Sequence, residues 1–155
     1  MNLIIDIGNS RVKCAVVTDK TIVARREHDA ITREWLQQII NDFPDICRAI
    51  VSTTRQNLGE VEMMLREMVD YVVGFQSGVT PIPIGNDYHT PLTLGADRLA
   101  AAVGGVMLYP GYDLMIVDFG TAITIDFVEG GSFRGGNISP GVTTRFRALA
   151  DYTAK

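Results

Sequence analysis

Cysteine and histidine are scarce in this chain, with two of each among 155 residues. Cys14 and Cys47 form no CxxC pair, and His28 and His89 lie far apart, so a zinc site is not expected. Both cysteines stand among apolar residues and read as buried, reduced thiols. Basic residues are not in excess. Fourteen Lys and Arg against 18 Asp and Glu give a formal net charge of -4 and a pI near 5.1. The basic residues are also scattered, which argues against a nucleic-acid partner; the tandem Arg25-Arg26 reads as the solvated end of a strand. No stretch approaches the roughly 18 uninterrupted apolar residues of a membrane span. The N-terminus runs directly into a strand that Asp6 interrupts, unlike a signal peptide, so a cytoplasmic location without membrane partners is expected. The chain also lacks a GxxxxGK[ST] phosphate loop and the Lys–Glu signature of protein kinases, which excludes those two classes.

What is present is the profile of an ordinary globular protein, 46% hydrophobic and 21% charged, of one domain or slightly more. Leu3 to Gly8 reads as a buried strand ending in a glycine turn. Val12–Val17 and Thr21–Arg26 follow as strands joined by the turn Thr18-Asp19-Lys20. A helix is predicted to start near Thr32, with Trp35, Leu36, Ile39, Ile40 and Phe43 on one face and Pro44 beyond its end. Ala49–Ser52 reads as a strand, Leu58–Met68 as a second amphipathic helix and Tyr71–Phe75 as a further strand. Pro81, Pro83 and Pro91 make the segment from Ser77 to Leu94 a loop or edge strand. Gly95-Ala96-Asp97-Arg98 then opens an apolar helix that ends at Tyr109-Pro110-Gly111. Strands alternating with helices predict an α/β sheet covered on its faces.

The most informative feature is an internal repeat. Leu3-Ile4-Ile5-Asp6-Ile7-Gly8-Asn9-Ser10 is echoed by Met115-Ile116-Val117-Asp118-Phe119-Gly120-Thr121-Ala122, and each copy is followed by a second strand and a turn. Repetition of a whole strand-turn-strand unit indicates a duplicated domain. The first copy is read as residues 1–113 and the second as 114–155. The second contains its hairpin, a Gly135-Gly136 turn and the start of a helix after Pro140, and is read as incomplete.

An aspartate at the C-terminal end of a buried strand projects into the crevice where open α/β sheets bind ligands. The neighbouring glycine lets backbone N–H groups approach an anion with no Cβ in the way. One Asp-x-Gly turn is also ordinary turn composition. Two copies in matching contexts are expected to face each other as a phosphate clamp. Asp97, in the first turn of a helix whose positive end favours an anion, is a candidate base, with a plain N-cap as the alternative. Arg98 beside it can take a substrate carboxylate bidentately.

The paired Asp-x-Gly hairpins resemble the phosphate loops of the acetate and sugar kinase, heat-shock-70 and actin superfamily. The order Asp6-Ile7-Gly8-Asn9-Ser10, Gly95-Ala96-Asp97-Arg98, Asp118 to Thr124 and Gly135 to Gly141 is similar to that of type III pantothenate kinases, also described as Bvg accessory factors. The resemblance spans residues 3–147. It implies an α/β, actin-like (ribonuclease H-like) duplicated domain with a mixed sheet flanked by helices. It also implies ATP-dependent phosphorylation of pantothenate, the first step of coenzyme A synthesis, with Mg2+ and a monovalent cation (K+ or NH4+), in a homodimer. Carried over by position, Asp6, Gly8, Asn9 and Ser10 line the first ATP phosphate loop, Asp6 also serving magnesium. Gly120, Thr121 and Ala122 line the second. Asp118 resembles the monovalent-cation ligand and Asp97 the general base, while Tyr88, Gly95 and Arg98 resemble the pantothenate grip. Ser10 stands where many relatives have Thr, which keeps the hydroxyl. The family's second domain continues past the length of this chain. There it supplies the adenine pocket, a threonine that completes the substrate site across the dimer, and much of the dimer interface. The 155-residue chain alone is therefore expected to bind ATP poorly and to turn over slowly or not at all. Two other readings remain: another small-molecule kinase or polyphosphate-type phosphatase on the same fold, and a non-catalytic nucleotide-binding regulator.

Overall fold

The computed structural model describes residues 1–19, 21–54 and 57–153. Lys20 of the first predicted turn and the last two residues, Ala154 and Lys155, lie outside them. Packing divides the chain into two compact units, Met1–Gln76 and Ser77–Lys155. The repeat boundary at 113/114 is a statement about duplicated sequence, whereas this one is about packing.

The first unit comprises β1 (Asn2–Ile7), β2 (Val12–Thr18), β3 (Thr21–His28), α1 (Arg33–Asp42), β4 (Arg48–Thr53), α2 (Leu58–Arg66) and β5 (Tyr71–Gly74). Its sheet runs β3-β2-β1-β4-β5. The β1, β2 and β3 neighbours pair antiparallel, and β4 joins both β1 and β5 in parallel. Strand alternation decides the faces. Leu3, Ile5 and Ile7 of β1, Val12, Cys14 and Val16 of β2, and Ala49 and Val51 of β4 point to one side. There they meet Leu36 and Ile39 of α1 and Val61 and Leu65 of α2 in one core. Helix α1 begins as expected, with the Thr32 hydroxyl accepting the Trp35 N–H at 3.2 Å, a cap that satisfies one orphan donor. Leu36 is fully buried. Leu36→Ala is expected to cost ~2–5 kcal/mol, transfer plus cavity, in a denaturant titration; a loss below about 1 kcal/mol would show that α1 does not anchor the core.

Cys14 is buried and its thiol is pushed up by that burial, which suits an unreactive core group. Cys47 departs from expectation and is exposed. It precedes β4, where Ile46 takes the buried place, and with Arg48, Asp70 and Tyr71 it lines a surface cavity of 510 Å³.

The second unit comprises β6 (Gly85–Asn86), a 3-10 turn at Pro91–Thr93, α3 (Ala96–Leu108), β7 (Leu114–Phe119), β8 (Ala122–Glu129), β9 (Ser132–Pro140) and α4 (Val142–Tyr152). Its sheet order is β6-β9-β8-β7. The proline-rich segment supplies the short edge strand β6, pinned where Ser132 Oγ and Arg134 Nη1 donate to Asp87 Oδ2 at 2.7 and 2.6 Å. Helix α3 packs on β7, with Gly105 so close that a Cβ there would lie 3.1 Å from Leu114 and 3.2 Å from Ile116. The opposite face of β7 is open, leaving Met115 and Phe119 largely exposed, so coverage of both faces is not met here. The predicted Gly135-Gly136 turn is not a turn. Both residues lie inside β9, where Gly135 has φ 109° and the β8–β9 register shifts between Phe127 and Val128. Gly135 accommodates the bulge at a φ that a residue without a Cβ tolerates best, and Gly136 leaves room for the facing backbone of Ile125 and Asp126.

Candidate active site

In the first unit, alternation that buries Leu3, Ile5 and Ile7 sends Asp6 to the open face of the sheet. Ser52 Oγ donates to its Oδ1 at 3.3 Å, and Lys13 is its cross-strand neighbour. The chain reverses over Gly8–Arg11, closed by the Gly8 N–H on the Arg11 carbonyl at 3.0 Å. Thr54, just past β4, braces this loop. Its N–H and hydroxyl donate to the Ile7 carbonyl at 3.0 and 3.3 Å, and the hydroxyl lies 3.5 Å from Asn9 Oδ1. Asn9 and Ser10 are exposed.

In the second unit, Asp118 is exposed near the end of β7, opposite Thr124 of β8. The Gly120 N–H donates to the Ala122 carbonyl at 2.9 Å. This connection is one residue shorter than its counterpart: Phe119 pairs with Ile123, whereas Ile7 pairs with Val12. The loop is braced from the start of α4, where the Gly141 N–H and the Thr144 hydroxyl each donate to the Thr121 carbonyl at 2.8 Å. A Cβ on Gly141 would lie 2.1 Å from the Gly120 carbonyl oxygen, so glycine is needed there for contact. No side chain caps α4, and its first-turn amides form a positive helix end beside the loop. A threonine hydroxyl on a loop carbonyl thus recurs in both units, Thr54 in one and Thr144 in the other.

Gly8 and Gly120 differ from Gly141. Neither has positive φ, and a Cβ would meet nothing nearer than 3.4 Å at Gly8 and 3.7 Å at Gly120. Neither conformation nor internal packing demands glycine at these two places. What the missing side chains leave is open access to loop amides, as phosphate-binding loops require.

The Gly-Ala-Asp-Arg segment starts α3. Gly95 is the N-cap residue, and Asp97 follows in the first turn. Asp97 Oδ1 accepts the Arg98 N–H at 2.9 Å, and a Cβ on Gly95 would sit 2.4 Å from that oxygen. Glycine therefore makes room for the Asp97 carboxylate, and the cap position itself belongs to Gly95. Arg98 turns inward. Its Nε donates to Asp126 Oδ1 and Oδ2, both at 3.1 Å, and its Nη2 donates to Oδ1. The Arg98 and Asp126 side chains are only 10% and 2% exposed. Asp126 holds the guanidinium above its ordinary value, chiefly through this hydrogen bond and against desolvation. Tyr88 is half-buried, tilted against Phe133 at 6.1 Å between ring centroids, with its ring over Gly135, where a Cβ would lie at 3.1 Å.

The structure thus groups Tyr88, Arg98 and, one residue before it, Asp97 with Gly95. It gives Gly120, Thr121 and Ala122 a loop beside Asp118, and Asp6, Gly8, Asn9 and Ser10 a loop in the other unit. Three contributors were not foreseen: Asp126, Thr54 and Thr144. Asp126 could have been found as the carboxylate in the middle of β8, whose other acid, Glu129, stands at its end. Among the described residues no three His, Cys, Asp or Glu side chains cluster as a metal cage. Single carboxylates such as Asp6 or Asp118 suit instead a Mg2+ ion that takes most of its ligands from water and nucleotide phosphates, or a weakly held monovalent ion. No helix among the described residues is long and apolar enough to cross a membrane.

Two α/β units with mixed sheets and paired strand-turn-strand loops define an actin-like fold. The sequence profile of the family described as type III pantothenate kinase matches residues 2–155, and the chain belongs to that family. A type III pantothenate kinase of Phocaeicola vulgatus is 38% identical over all of this chain and 64% of its own length. One from Bacteroides fragilis is 39% identical over all of this chain and 63% of its own length. The chain therefore spans just under two thirds of these relatives. Among solved structures, a Baf family protein of Campylobacter jejuni superposes with a TM-score of 0.60 at 23% identity, covering 97% of this chain and 60% of that one.

Proposed function

We propose that this protein phosphorylates the 4'-hydroxyl of pantothenate with ATP, the first step of coenzyme A synthesis. The observation that carries the reading is the start of α3, where a carboxylate and an inward-turned guanidinium stand side by side with Tyr88. Arg98, with Tyr88 and Gly95, grips the pantothenate carboxylate. Asp97 receives the hydroxyl proton on Oδ2, its Oδ1 being held by the Arg98 N–H. As the 4'-hydroxyl oxygen bonds to the γ-phosphorus, the bond from phosphorus to the β–γ bridging oxygen breaks and ADP leaves. Such transfer asks the protein for alignment and charge neutralisation more than for covalent chemistry. Asn9 and Ser10 in one loop and Thr121 and Ala122 in the other line the phosphates, while Gly8 and Gly120, whose own N–H groups close the turns, leave the loop backbone open; the two loops are the corresponding parts of the copies 1–113 and 114–155. Mg2+ near Asp6 and K+ or NH4+ at Asp118 would neutralise phosphate charge. A homodimer in the cytoplasm, as the resemblance to the family implies, completes the reading.

Replacing potassium by sodium in a coupled ADP-release assay with pantothenate tests the cation assignment. Turnover is expected to fall at least tenfold, and Asp118→Asn is expected to abolish the difference between the two ions. Equal rates in both ions in the unaltered protein would remove Asp118 from this role.

A further inference from the structure

Asp126 is the most thoroughly enclosed charged group described, 1% exposed, and no role follows for it from the family's phosphate and substrate motifs. The fold makes space for it. Gly136 stands opposite in register, and a Cβ there would come within 2.7 Å of Asp126 Oδ1. A buried ion pair is weak evidence of stabilisation, because well-packed apolar residues often serve equally well. What such a pair does supply is direction. A guanidinium has five N–H donors in a fixed plane. Asp126 takes the Nε edge and part of Nη2, which fixes the plane and turns Nη1 to the far side. Tyr88 is seated nearby, over Gly135 and tilted against Phe133.

We infer that Asp126 is a positioning residue for carboxylate recognition: it clamps Arg98 by its Nε edge so that the Nη1 edge is presented to the substrate's carboxylate. The inference rests on the reading of Arg98 as the pantothenate grip. A flexible arginine would have to be ordered when substrate binds, whereas a clamped one is ordered beforehand. Asp126 therefore acts on one functional group of the substrate and not on the rest of it.

The test is calorimetric binding of two ligands, pantothenate and pantothenol, in which a primary alcohol replaces the carboxylate. They are titrated into the unaltered chain, Asp126→Asn and Asp126→Glu, with a melting curve for each. Asp126→Asn is expected to weaken pantothenate about tenfold or more, the scale of one charge-assisted hydrogen bond, and to leave pantothenol unchanged. Asp126→Glu, which keeps the charge but shifts it by one methylene, is expected to fall between and decides the matter if Asp126→Asn does not fold. Equal weakening of both ligands would reduce Asp126 to a structural role. Unchanged or tighter pantothenate binding would show that Asp126 does not orient Arg98, or competes with substrate for it. An unaltered chain that does not prefer pantothenate over pantothenol would overturn the Arg98 reading itself, and with it this inference.

Discussion

Asp97→Asn is expected to lower kcat for pantothenate phosphorylation by ~10²–10⁴, the range for loss of a positioned general base, with KM for pantothenate nearly unchanged. The asparagine oxygen can still accept the Arg98 N–H that Asp97 Oδ1 accepts at 2.9 Å, so the start of α3 and the direction of Arg98 are preserved. Only the proton acceptor is lost. Steady-state kinetics with varied pantothenate separate the two parameters. A rate within a few-fold of the unaltered protein would mean that Asp97 only caps the first turn of α3. A rise in KM with kcat intact would make it part of the substrate grip.

The second large effect concerns stability. Gly136→Ala places a Cβ 1.9 Å from the Ile125 carbonyl oxygen and 2.7 Å from the Asp126 Cα. Both obstacles are backbone, so no side chain can swing away. Strand β9 must separate from β8 or Asp126 must leave its place, and the expected cost is ~3 kcal/mol or more, beyond ordinary overpacking. Gly104→Ala is the matched control. It lies within α3 with nothing inside 4 Å of a new Cβ, and is expected to gain ~0.5–1 kcal/mol from lower chain entropy. Thermal or denaturant melts of the two variants should move in opposite directions. Similar behaviour of both would contradict the close approach of β8 and β9.

Much of this was legible in the sequence because local rules decide it. Thr32 caps α1, apolar spacing buries Leu36 and Ile39, and the duplicated Asp-x-Gly pattern marks two hairpins, each closed by a glycine N–H. The failures share one physical origin, the dependence of a residue's role on partners distant in sequence. Ile123, Ile125 and Phe127 alternate with Thr124, Asp126 and Val128 along β8, and nothing local in the sequence says which set faces a neighbour. Thr124, Asp126 and Val128 are buried because α3 lies on their side and brings Arg98, 28 residues earlier, to the Asp126 carboxylate. Gly135 and Gly136 look like a turn in isolation. They are strand residues because Tyr88 and Asp126 occupy the space their side chains would fill. Cys47 has apolar neighbours in sequence, yet Ile46 beside it takes the core position. Thr54 and Thr144 carry no local signal, since their hydroxyls serve carbonyls 47 and 23 residues away.

The central claim is that the residues around α3 and the two loops transfer a phosphoryl group to pantothenate. Mass spectrometry of pantothenate incubated with ATP, magnesium, potassium and the protein carried to the full length of its relatives tests it most directly. The account predicts a product one phosphoryl group heavier, formed with equimolar ADP, carrying the phosphate on the 4'-hydroxyl and formed at least about a hundredfold more slowly when Asp97→Asn replaces the unaltered protein. ATP binding with no conversion of pantothenate would contradict it and identify a nucleotide-binding regulator on a kinase fold.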